Sequence, residues 1–157
     1  MKLIATKAKP AAAADLLTYV RADGTRASVA MPRQGILPHD LVHCVVEVGC
    51  ALAGGFTAAV SAGADPDFLA SRHLEPTRAL RIAESVVEAM QAQLALGAFD
   101  YAAFCYGIQT ACDARGVTSV QCPDETRARL SYLEACALNE RWRTLAPTQS
   151  LQLEFGE

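Results

Sequence analysis

The strongest constraint on this fold lies at the end of the chain. Leu151-Gln152-Leu153-Glu154-Phe155 alternates apolar and polar residues, the pattern of a half-buried strand. A lone strand leaves its backbone donors and acceptors unpaired, so this one needs a partner. Strand-like sequence is otherwise confined to the first residues of the chain. Residues 2–8 (KLIATKA) predict a short strand, and Pro10 with Ala11 to Ala14 a linker. Asp23-Gly24 predicts a two-residue hairpin, because a type I′ turn needs positive φ at both positions. With that turn Ala22 faces Thr25, Val20 faces Ala27, Thr18 faces Val29 and Leu16 faces Met31. Leu16, Val20, Ala27, Val29 and Met31 then share one face with Thr18, and Tyr19, Arg21, Arg26 and Ser28 share the other. The two chain ends are expected to pair.

Between them the chain reads as helices. Pro38 suits a first helical turn, where its missing N–H costs nothing. The helix it opens is expected to end near Ala53, with Gly49 a place where another element can approach closely. Phe56 to Ala62 predicts a short helix, and Ala64 to Thr77, with Asp65-Pro66-Asp67 and Glu75-Pro76, a loop. Residues 77–96 carry an apolar face and stop at Gly97. Asp100 caps a helix over about 100–115, ended by Gly116, with Tyr101, Cys105, Ile108 and Cys112 as a core stripe. Pro123-Asp124 opens the last helix, which runs to about Leu145 and carries Trp142. The expected fold class is α+β, a single domain over 1–157: a small, mainly antiparallel sheet from the N-terminal hairpin and the C-terminal strand, packed on about five helices.

The chemistry concentrates in Leu37-Pro38-His39-Asp40-Leu41-Val42-His43-Cys44-Val45-Val46-Glu47, which holds two of the 3 histidines. Leu41, Val42, Val45, Val46 and Val48 cover one wide helical face. His39, Asp40, His43, Glu47 and Cys50 occupy the remaining arc, which has no Lys or Arg. His39 and His43 are four apart, so they stack one turn above each other and can share one divalent metal. Asp40 is the candidate general base or water-holding group, standing where HExxH metalloproteases have Glu. Glu47, one turn beyond His43, is a ligand or an acceptor that orients His43. The third ligand is open between His73, folded back from its loop, Glu84 and another group. Glu88 reads as solvated. Cys50 is a possible thiolate ligand or a bystander. An ordinary polar helix face explains the same residues without a metal.

LPHDLVHCVVE resembles a segment of small bacterial proteins of unknown function. Its HDxxH is also similar to the zinc motif of a helical protein family of ubiquinone biosynthesis. The likeness covers His39, Asp40 and His43. Where that family has a further Glu downstream, Gly55 stands here, and Glu47 is offered instead. The resemblance implies a metal on the two histidines and no particular activity.

With 17 acidic and 14 basic residues interleaved along the chain, no basic stripe suggests a nucleic-acid surface. No apolar run is long enough to span a membrane. The 6 cysteines form no CxxC pair and are expected to be reduced in a cytoplasmic protein. The leading expectation is a cytoplasmic metal-binding protein with zinc as the default ion, iron or manganese as alternatives, and metal-activated water as the natural chemistry. The second is a metal-free structural domain that binds another protein or itself. The third is a small-ligand module with an apolar pocket.

Overall fold

The computed structural model describes residues 1–67 and 75–155. The architecture is α+β, with one four-stranded antiparallel sheet in the order β3-β2-β1-β4. Its strands are β1 (Lys2–Thr6), β2 (Ala14–Val20), β3 (Arg26–Pro32) and β4 (Ser150–Glu154). The helices are α1 (His39–Gly49), α2 (Phe56–Ser61), α3 (Arg78–Leu96), α4 (Tyr101–Ala114) and α5 (Glu125–Thr144). The chain ends do pair: Leu3 lies opposite Leu153, and Ala5 opposite Leu151. β1 also pairs with β2, so it is an interior strand of the sheet.

The hairpin departs from the expected register by one residue. Thr18 faces Ser28 and Leu17 faces Val29. The Arg21 N–H donates to the Thr25 carbonyl at 2.9 Å and the Gly24 N–H to the Arg21 carbonyl at 3.0 Å, so the loop is Ala22-Asp23-Gly24. Within it only Gly24 has positive φ, at 82°. Asp23 instead accepts from the Thr25 N–H at 2.9 Å. A type I turn closed by a left-handed glycine is one residue longer than type I′. That residue exchanges the two faces of the strand. Leu17 and Tyr19 are therefore buried, and Leu16 is 44% exposed.

Side-chain caps start three helices where the sequence places them. Thr77 accepts from the Leu80 N–H at 3.2 Å, Asp100 from Ala103 at 2.8 Å and Asp124 from Arg127 at 3.1 Å. α1 stops earlier than expected. Ala51 takes φ 53°, the Leu52 N–H donates to the Glu47 carbonyl and the Ala51 N–H to Val48. This closes the helix in a Schellman motif without a glycine at the left-handed position.

Leu3, Leu17, Tyr19 and Met31 of the sheet share one core with Leu41, Val42 and Val46 of α1. α3 and α5 also pack on α1. Val48 is the single exposed residue of α1; of its polar arc His43 and Glu47 are buried and His39 and Asp40 half-buried. Gly49 permits this packing, because a Cβ there would overlap Ser131 Oγ and lie 3.1 Å from Ser131 Cβ. Alanine is ordinarily better than glycine in a helix by about 1 kcal/mol. Here Gly49→Ala is expected to destabilise by about 1–2 kcal/mol, because overpacking outweighs propensity. An unchanged or raised urea midpoint would count against this close approach.

Two cysteines correct the expectation of reduced thiols. Cys105 of α4 and Cys122 form a disulfide, with Cα atoms 5.5 Å apart. The Tyr101 hydroxyl, donating to the Pro123 carbonyl at 2.9 Å, ties the same two segments together. Cys44, Cys50, Cys112 and Cys136 are free. No helix among the described residues is long and apolar enough to cross a membrane.

Candidate metal centre

His39 and His43 project from successive turns of α1 into the space between α1 and α3. Their rings meet edge to face, with centroids 4.7 Å apart and Nε2 atoms 3.0 Å apart. Glu84 of α3 completes the group. Its Oε1 lies 3.2 Å from His43 Nε2 and its Oε2 3.3 Å from His39 Nε2. These three side chains could hold a metal ion.

The outer ring nitrogens decide where the lone pairs point. The His43 Nδ1–H donates to Glu47 Oε1 at 2.8 Å. Glu47 is itself anchored at the start of α2. The Thr57 N–H donates to both its oxygens at 3.1 Å and the Ala58 N–H to Oε2 at 3.4 Å. First-turn N–H groups have no partner within their helix and favour an anion. The His39 Nδ1–H donates to Gln91 Oε1 at 2.9 Å. Gln91 Nε2 in turn donates to Gln34 Oε1 at 3.4 Å, which keeps the Gln91 oxygen toward His39. With both Nδ1 atoms acting as donors, both Nε2 lone pairs face Glu84. Three acceptors this close repel one another unless a cation sits among them. That cation is a proton or a metal.

The spacing suits a metal. Donors around a tetrahedral ion at about 2.0–2.1 Å stand roughly 3.3 Å apart, and around an octahedral ion about 2.9 Å apart. The two Nε2 atoms, 3.0 Å apart, fall between these values, and Glu84 presents one oxygen to each imidazole, at 3.2 and 3.3 Å. In the absence of a metal, protons take that place. Burial alone would lower the pKa of His43, but hydrogen bonds to Glu47 and Glu84 outweigh it and hold it at about 9. His39 is shifted upward too, its burial outweighed chiefly by Glu84. Burial acts on Glu84 in the other direction, and the two imidazoles override it to hold the carboxyl well below the usual range.

The sequence candidates divide as follows. His39 and His43 meet, as their spacing requires. Glu47 lies on the far side of the His43 ring, with both oxygens engaged by Nδ1 and backbone N–H groups; Glu84 occupies the third position. Asp40 lines the cavity beside the group, and burial raises its pKa. Cys50 points away, its sulfur 3.6 Å from Ser131 Oγ, and burial raises its thiol pKa. Glu88 is paired with Arg115 at 2.7 Å on the surface. His73 lies outside the described residues. Gly55 leaves room for the Glu47 carboxylate, which a Cβ there would run into.

The triad opens onto a cavity of about 610 Å³, lined also by Val29, Asp40, Phe56 and Arg81. Its size is that of a small-molecule site. Comparison with protein-family models, with curated proteins and with solved structures found no match.

Proposed function

We propose that this chain is a metal-binding protein in which His39, His43 and Glu84 hold one divalent transition metal at the wall of a small-molecule cavity. The observation that carries this is the convergence of two Nε2 lone pairs and a carboxylate, with both Nδ1 atoms anchored behind them. Zinc is the default for two imidazoles and a carboxylate, with iron and manganese as alternatives. Three protein ligands leave coordination open toward the cavity, the arrangement of catalytic rather than structural sites. Such an ion lowers the pKa of a coordinated water. Asp40, in the same cavity, is the group to accept its proton, and hydrolysis or hydration is the matching reaction class.

Elemental analysis of untagged protein, dialysed against metal-free buffer, tests this reading. About one equivalent of a single metal is expected, falling to background in His39→Ala, His43→Ala and Glu84→Gln. No metal before or after reconstitution, or full occupancy in those variants, overturns it. The second reading rests on the high pKa of His43: a buried imidazolium between Glu47 and Glu84 that ties α1 to α3 in a metal-free domain. It expects thermal stability to be indifferent to chelator, whereas a tight metal site expects destabilisation.

A further inference from the structure

We infer that the cavity beside the triad takes a small organic anion, with an acid group on the Arg81 guanidinium and a second polar group at the metal. This rests on the metal reading above. Arg81 lies three residues before Glu84 on α3, so the two share a helix face and both line the cavity. Two backbone carbonyls hold its guanidinium in place. The Nε–H donates to the Pro76 carbonyl at 3.1 Å and Nη1 to the Arg115 carbonyl at 2.9 Å. Its acidic partner is Glu75, 2.9 Å away, whose side chain is 92% exposed. An ion pair so open to water contributes little and is readily exchanged. Of the five guanidinium donors, these partners use one each on Nε, Nη1 and Nη2. Nη1 and Nη2 each keep one hydrogen without a partner among the described residues, leaving two donors from which a carboxylate can accept. Val29 and Phe56 are apolar parts of the same lining; of its other charged groups Arg115 adds to Arg81, while Asp40 and Asp67 oppose it and confine an anion to the arginine side. An uncharged ligand would leave these donors unused.

Cobalt(II)-loaded protein titrated with malonate, succinate, glutarate and adipate tests the inference, read from the visible cobalt spectrum. Acetate, long enough to reach the metal alone, is the reference. At least one dicarboxylate is expected to bind about tenfold or more tighter than acetate, and Arg81→Gln to remove that advantage while acetate binding stays the same. Arg81→Lys keeps the charge without the guanidinium and is expected to fall between. Cobalt uptake by each variant reports that the triad is intact, since Arg81 is not a ligand. Dicarboxylates no better than acetate, or an Arg81→Gln protein that keeps the preference, overturns the anion assignment and leaves the metal site standing. A chain that takes up no cobalt overturns both.

Discussion

Glu47→Gln is expected to lower metal affinity by about 10- to 100-fold while leaving every ligand in place. The carboxylate does two jobs that an amide cannot combine. It accepts the His43 Nδ1–H at 2.8 Å, and it accepts the Thr57 and Ala58 N–H groups at the start of α2. If the amide oxygen stays with α2, the NH₂ faces His43 Nδ1. The ring hydrogen must then move to Nε2, and the lone pair aimed at the metal is lost. If the amide turns over, its NH₂ opposes two backbone donors inside the protein, where an unmet donor costs about 1–3 kcal/mol. The first orientation weakens the metal site directly, and the second destabilises the fold that holds His43 in place. Chelator competition reads the affinity and urea unfolding the stability. Wild-type values for both would show that Glu47 does not position His43. In a metal-free domain the stability loss would appear alone, with no affinity to change.

Much of the fold was legible because its signals are local. Thr77, Asp100 and Asp124 cap the helices they precede in sequence, and Gly97 stops α3 in the left-handed conformation. The alternation of Leu151 to Phe155 required a partner, and β1 supplies it. The hairpin register was not legible, because Asp-Gly fits two loops. Glycine takes positive φ in both, and only the conformation of Asp23 separates a two-residue loop from a three-residue one. α1 closes on Ala51, a residue that carries no helix-stop signal. The same contrast of local and distant governs the site. The i, i+4 spacing of His39 and His43 places their rings together whatever surrounds them. The destination of Glu47 depends on α2, which begins at Phe56, and the third position depends on how α3 lies against α1. Both are decided by packing between elements, as is the meeting of Cys105 with Cys122.

Protein stripped of metal by chelator is expected to lose stability as pH rises from about 6.5 to 9.5, by on the order of 3 kcal/mol. The sign follows from His43, held at about 9 in the native state against an ordinary 6.5. Below the ordinary value both folded and unfolded chains carry the proton, and the contribution is complete. Above it the unfolded chain releases the proton while the native state keeps it, so stability falls until the native pKa is passed. His39 and Asp40 are also shifted upward and act in the same direction. Glu84, held low, acts on the other flank: its contribution is complete above its ordinary value and is lost as pH falls through the native one. For a chain of this length the alkaline loss corresponds to roughly 6–12 °C in Tm. A bound metal reverses the trend, because it takes the position of the protons and gains affinity as they leave. Melting curves with and without metal should therefore diverge with rising pH, the metal-loaded protein increasingly the more stable. A flat profile in chelator would mean that His43 is not held as an imidazolium between Glu47 and Glu84. A falling profile that added metal does not change would leave the charged network in place and remove the metal.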